Sequence, residues 1–242
     1  MRFSNRFYRD YSNTLRWKSF GVRVETTDLF IRARKDLSEY AKGIVEQNRE
    51  EIREHILRQD CFLTSLQPVT RCEGVPAIIE NMYSASEIAN VGPMAAVAGA
   101  IAESVGMELL GQSEEVIVEN GGDIYLKVVE PVVISIYVGD SPFSGRIGIR
   151  IDPDETPMGI CTSSGKIGHS ISFGRADAAT IISYNTALSD AVATGMCNMV
   201  TAEDNIETAI EYAMSISKVR GAVVIYGDKL AAKGDVEFAN PY

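Results

Sequence analysis

Apolar residues at Ala187, Leu188, Ala191, Val192 and Met196 recur at helical spacing, which predicts a helix over residues 186–199. A second stripe, Leu37, Tyr40, Ile44, Val45, Ile52, Ile56 and Leu57, predicts a helix within residues 36–59, and the Glu and Arg residues between them read as a solvated face. The alternation of Phe20, Val22 and Val24, followed by residues 28–31, reads as a hairpin turning near Glu25, Thr26 and Thr27. Pro76 and Pro93 stand where first helical turns would begin. Strands are expected over 115–119, 124–129, 132–138, 146–151 and 221–226, with a further helix over 202–216 started by Thr201. Arg146 and Arg150 would share one strand face, solvent-exposed by default. Strands and helices are intermixed and hairpins recur, so the expected class is α+β, a mixed or antiparallel sheet packed with helices, in a single domain over residues 1–242.

Composition narrows the function. Of 242 residues, 45% are hydrophobic, ample for a core. With 33 acidic against 23 basic residues the net charge is −10, which argues against nucleic acid or an anionic membrane as the main partner. An anionic ligand would need a local basic pocket. The N-terminal stretch is polar and basic, without the apolar segment of a signal peptide, and no segment has the length of a membrane span. Cys61, Cys72, Cys161 and Cys197 lack CxxC spacing, which fits reduced thiols. A cytoplasmic location is the resulting expectation.

Candidate chemistry gathers between residues 159 and 200. Cys161, Thr162, Ser163, Ser164, Gly165 and Lys166 form a run of small hydroxyl residues ending in glycine, a loop whose N–H groups and hydroxyls could converge on an anion. Asp190 and Thr194 lie four apart on the expected helix among small and apolar neighbours, a pair of oxygen ligands for a hard cation. Asn120, Gly121, Gly122 and Asp123 are first of all a hairpin turn, and a turn can also carry a ligand. Residues 91–103, rich in Ala and Gly, leave room for a ligand or another backbone. His169, one of two histidines, and Asp123 are candidates to move a proton. Cys161 is the candidate nucleophilic thiol, and a small buried strand residue is the alternative for it.

Three of these pieces together resemble the ApbE-like superfamily, which includes the FAD:protein FMN transferases. Asp190-Ala191-Val192-Ala193-Thr194 is similar to the Asp-Ala-Leu-Ala-Thr helix of those enzymes, and Asn120-Gly121-Gly122-Asp123 to their Asn-x-Gly-Gly-Asp turn. Ala96-Val97-Ala98-Gly99 resembles their Gly-Gly-Ile-Ala-Lys-Gly helix start, with Gly99 where they have lysine. The run from Ser163 through Gly168-His169-Ser170 to Arg175-Ala176-Asp177 looks like the signature of an uncharacterised archaeal and bacterial branch of the superfamily, covering residues 10–230 in general pattern. The resemblance implies an ApbE-like fold, Mg²⁺ held by the Asp190 and Thr194 side chains and the Ala98 carbonyl, and FAD or a related nucleotide as ligand. The N-terminal motif that helps cradle flavin in the transferases has no counterpart in residues 1–70.

Three functions are therefore in view. The first is a magnesium-dependent enzyme acting on a flavin- or nucleotide-like diphosphate, with residues 162–165 holding phosphate. The second is a thiol-based sulfur-handling protein using Cys161, since some archaeal members of that branch are associated with sulfide assimilation toward homocysteine and cysteine; sulfur-assimilation proteins would then be partners. The third is a noncatalytic binding module. A small-molecule ligand is common to the first two, and apolar helix faces are compatible with a homodimer.

Overall fold

The computed structural model describes residues 16–139, 141–166 and 174–241. The chain opens with an antiparallel hairpin, β1 (Lys18–Val24) and β2 (Thr27–Ala33), turning at Glu25 and Thr26 as the alternation predicted. Helices α1 (Ser38–Arg58), α2 (Cys61–Thr64) and α3 (Ala77–Ala89) follow, and a 3-10 turn at Pro93–Ala96 runs into α4 (Val97–Leu109). Strands β3 (Val116–Asn120), β4 (Asp123–Lys127), β5 (Val132–Ser135), β6 (Gly148–Ile151), β7 (Met158–Ser163) and β8 (Ala178–Ser183) lead to α5 (Thr186–Met199). The chain then passes through α6 (Ile206–Ser215), β9 (Val219–Tyr226), β10 (Lys229–Gly234) and β11 (Phe238–Ala239).

Eight strands form one sheet in the order β1-β2-β3-β4-β7-β8-β9-β10, and β11-β6-β5 form a second. Every neighbouring pair is antiparallel, so of the two expected sheet types the antiparallel one is built. Because side chains alternate across a strand, the large sheet has two apolar faces. Leu29, Ile31, Val118, Ile181 and Val224 pack with Ala100, Val105, Ala191 and Val192 of the helices. Ile117, Leu126, Ile160, Ile182 and Val223 pack with Ile134, Ile149 and Ile151 of the small sheet. Each fully buried aliphatic side chain of this kind contributes about 1.5–3 kcal/mol.

Helix α5 occupies the centre of the helical layer, against β7, β8, α3, α4 and α6. Every residue from Thr186 to Cys197 is buried, which explains the small residues along it. Its start is capped by Asn185, whose Oδ1 accepts the Leu188 N–H at 2.6 Å. Glycine at 159 permits β7 to approach it, since a Cβ there would lie 2.5 Å from the Thr186 Cα.

Several boundaries differ from the sequence expectation. The strand expected over 132–138 ends at Ser135, and that expected over 146–151 begins at Gly148. The helix expected from residue 202 begins as a 3-10 turn at Glu203–Asn205, and α6 proper starts at Ile206. Among the described residues no single helix is long and apolar enough to cross a membrane.

Candidate functional site

The site lies where the start of α4 meets the middle of α5. A helix leaves its first N–H groups without partners inside the helix, and α4 has no side-chain cap of its own. Asp190 supplies it from α5: its Oδ2 accepts the Gly99 N–H at 2.8 Å, and the Ala98 N–H also bears on the carboxylate. Glu103 of α4 returns the arrangement, its Oε2 accepting the Thr186 N–H at 3.0 Å and the Ala187 N–H at 3.3 Å. The two helices can approach this closely only because position 99 is glycine. A Cβ there would meet the Thr186 carbonyl oxygen at 2.4 Å and the Asp190 Cβ at 2.8 Å.

Burial dominates the electrostatics. It pushes the Asp190 carboxyl up to about 7, opposed by the Gly99 and Ala98 N–H groups. Asp123 is raised well above the usual carboxylate range by burial first and then by the Asp190 charge. Desolvation likewise raises Glu103, with the Ala187 N–H, the Asn81 amide and the Thr186 N–H working against it. Carboxylates drawn out of water beside one another favour a cation between or near them.

Asp190, Thr194, Ala98 and Asn120 line a cleft of about 1290 Å³ together. Asn120 Nδ2 donates to the Ala98 carbonyl oxygen at 3.1 Å, which orients that carbonyl. The cleft is also lined by Glu25, Arg49 and Arg53, and Ile52, Ile56, Leu63, Leu66 and Met94 make it partly apolar. Among the described residues no group of three or more His, Cys, Asp or Glu side chains gathers as a metal cage. A carboxylate, a hydroxyl and a carbonyl without such a cage suit Mg²⁺, which keeps waters and takes one or two carboxylates together with ligand phosphates. The donor set therefore fits the ion that the sequence resemblance implies.

The expected anion loop is not built as expected. Cys161, Thr162 and Ser163 belong to β7, and their N–H groups and hydroxyls are largely committed inside the fold. The Thr162 N–H donates to the Gly122 carbonyl at 2.9 Å, and the Thr162 hydroxyl meets that of Thr180 at 2.9 Å. The Gly165 N–H goes to the Ala176 carbonyl at 3.0 Å, and the Ser164 hydroxyl accepts the Lys166 N–H at 3.1 Å. Ser163 Oγ is buried without a partner. None of Thr162, Ser163, Ser164 and Gly165 lines the cleft. Gly121, at φ 73°, and Gly122 form the β3–β4 turn that presents Asn120 and Asp123 on one face.

Cys161 sits within β7 opposite Asp123 and is fully buried, donating to the Thr186 carbonyl at 3.4 Å. Burial, then the Asp123 and Asp190 charges, pushes its thiol well up. This corrects the expectation of N–H groups stabilising a thiolate there, because the nearby charges are negative and water is excluded. His169 lies outside the described residues. Arg150 is ion-paired with Asp152 at 2.7 Å and with Glu237 at 3.6 Å.

Four residues of the site were not singled out by the sequence reading. Gly99 was noted only for the lysine it replaces, whereas it is the contact point of the two helices. Glu103 is an acid in an otherwise Ala- and Gly-rich helix start, and that contrast was the available signal. Arg49 and Arg53 belong to the face of α1 read as solvated, because periodicity identifies a polar face without saying what it faces.

Residues 11–230 match the family model described as AbpE bacteria. The chain belongs to that family. Among its relatives, a UPF0280 protein of Methanocaldococcus jannaschii is 39% identical over 226 residues, spanning 91% of this chain and 92% of the relative. A UPF0280 protein of Methanopyrus kandleri is 41% identical over 224 residues, spanning 89% and 90%. The fold is similar to that of the flavin transferase ApbE from Vibrio cholerae, with a TM-score of 0.54, 16% identity, and coverage of 90% of this chain and 96% of that one. It is similar also to the Pseudomonas stutzeri flavinyl transferase ApbE, with a TM-score of 0.53, 15% identity, and coverage of 90% and 94%. The expected ApbE-like fold is thus the fold of this AbpE chain.

Proposed function

We propose that this AbpE chain is a magnesium-dependent enzyme that binds a flavin- or nucleotide-like diphosphate in the cleft above Asp190. The observation that carries the reading is that Asp190, Thr194 and Ala98 line one cleft of about 1290 Å³, large enough for a dinucleotide. The fold shared with flavin transferases supports the ligand class. A bound magnesium ion would offset charge that builds up between phosphoryl oxygens.

The chain's own residues do the remaining work. Asp190, which lines the cleft, is held by the start of α4, so the carboxylate is positioned before any ligand arrives. Asn120 fixes the Ala98 carbonyl from the β3–β4 turn. The positive end of the α4 dipole faces the same cleft and favours an oxyanion there. Asp123, paired with Asn120 across the β3–β4 turn, does not line the cleft, and burial makes it hold its proton more tightly than an ordinary carboxylate. The packing at Gly99 leaves no space for a side chain, so the ammonium that the transferases carry at this point has no counterpart. No observation favours the sulfur-handling reading, since Cys161 is enclosed and its thiolate disfavoured.

The test is a titration of the purified protein with FAD, with and without Mg²⁺, followed by flavin fluorescence and by assay for released AMP or FMN. Binding that requires Mg²⁺ and is lost in Asp190→Asn supports the proposal. Absence of binding in the wild type removes it.

A further inference from the structure

A second part of the cleft lining carries chemistry that the Asp190 side does not use. The β1–β2 turn and the adjoining face of α1 build it, and its charged residues are Glu25, Arg49 and Arg53. Arg49 donates through Nη1 to the Thr27 hydroxyl at 2.8 Å and the Thr26 hydroxyl at 3.3 Å, and through Nη2 to Glu25. Arg53 donates through Nη2 to the other Glu25 oxygen at 2.9 Å and through Nη1 to Glu50 at 2.7 Å. One carboxylate therefore serves two guanidinium groups.

The two sides of this contact are unequally held. The Arg49 side chain is 18% exposed and its Nε is buried with no acceptor, one donor more than the protein supplies a partner for. Glu25 is 58% exposed and sits on the turn at φ 52°, a left-handed conformation that a non-glycine residue rarely adopts. A largely buried Arg49 and a half-exposed Arg53 sharing one exposed carboxylate make an exchange site, because a phosphate offers more oxygens to the two forks than one carboxylate can.

Charge elsewhere in the cleft points the same way. Arg49 and Arg53 are the Lys and Arg side chains that line it among the described residues, on a chain of net charge −10. An anionic ligand meets favourable charge only there and at the start of α4.

We propose that Arg49 and Arg53 form an anion-receiving wall, and that Glu25 is their internal counter-ion, replaced by a phosphate or diphosphate oxyanion when ligand binds. The proposal rests on the nucleotide-like reading of the cleft and adds its selectivity. Phosphorylated ligands are distinguished from unphosphorylated ones of the same ring system by this wall, while Ile52, Ile56 and Met94 accept the apolar part of either.

Binding of FAD, FMN and riboflavin by fluorescence, and of pyrophosphate by calorimetry, tests it, with Mg²⁺ present throughout. Arg53→Gln, at a half-exposed position, and Arg49→Gln should each weaken FAD and FMN about tenfold or more and leave riboflavin unchanged. Glu25→Gln should tighten the phosphorylated ligands several-fold, roughly the effect of removing one competing charge. Wild-type binding of FAD that both arginine variants retain in full would overturn the wall while leaving the nucleotide reading intact. Equal losses for riboflavin and FAD would also overturn it, by showing that the arginines act only through packing. A wild type that binds none of the four probes removes both proposals.

Discussion

Asp190 of α5 caps the start of α4 at Gly99, and Glu103 of α4 caps the start of α5 at Thr186 and Ala187. Two helices thus satisfy one another's free N–H groups with carboxylates, Asp190 buried and Glu103 partly so. The arrangement couples stability to the site, because the group that would hold a cation also completes a helix.

Loss of the Glu103 cap leaves buried N–H groups at the start of α5 without an acceptor. Glu103→Ala should lower unfolding free energy by about 1–3 kcal/mol, read from urea denaturation. Glu103→Gln, which keeps an acceptor oxygen, should cost less. Equal stability of the alanine variant and the wild type would contradict the capping account.

Glycine 99 and glycine 43 give opposite expectations within the helical layer. Gly99→Ala drives a Cβ against the Thr186 carbonyl and the Asp190 Cβ and should destabilise by about 1–3 kcal/mol while weakening ligand binding. Gly43 lies on the exposed face of α1 with nothing within 4 Å of an added Cβ. Gly43→Ala should stabilise by about 0.5–1 kcal/mol through helix propensity. Thermal denaturation of the two variants side by side checks the pair.

His55 gives a pH signature separate from the cleft. It is buried on α1, with Nε2 2.8 Å from the Tyr83 hydroxyl and its ring edge-on to Phe62. Burial lowers its pKa, Arg58 adding to the effect and the Gln59 contact opposing it. A base with a lowered folded pKa leaves the unfolded chain holding more protons between the two values. Its contribution is present above the unfolded value of about 6.5 and declines as pH falls below that. The raised carboxyl of Asp190 works in the opposite direction over the same range, so the His55 contribution is read as a difference: from pH 8 down to pH 5 the wild type should lose stability relative to His55→Gln.

The cysteines should separate by access. Cys61 is exposed, whereas Cys161 and Cys197 are buried. Brief alkylation of the native protein, mapped by mass spectrometry, should label Cys61 and spare Cys161. Labelling of Cys161 at the rate of Cys61 would revive a thiol chemistry at β7.

The sequence made some of this legible and hid the rest for physical reasons. Helix α5 was readable to its ends because its larger apolar residues keep helical spacing even though all its faces are buried. Strands β7 and β8 were not, since helices cover one side of them and the small sheet the other, and the alternation that marks a half-buried strand disappears. The hydroxyl run at residues 162–165 looked like a free loop because its composition is that of one, yet the β3–β4 turn, Ala176 and β8 take up its hydrogen bonds. Asp190, Thr194, Ala98 and Asn120 were named from the sequence and are brought to one cleft. Their capping partner Glu103 was not, because contacts between helices follow from packing rather than from local pattern.

Equilibrium binding of FAD to wild type and to Asp190→Asn, each across a Mg²⁺ titration, tests the central claim most directly. The account predicts wild-type binding that strengthens with Mg²⁺, and a folded Asp190→Asn variant in which that dependence is gone. FAD binding indifferent to both Mg²⁺ and the substitution, or no binding by the wild type at any Mg²⁺ concentration, would contradict it.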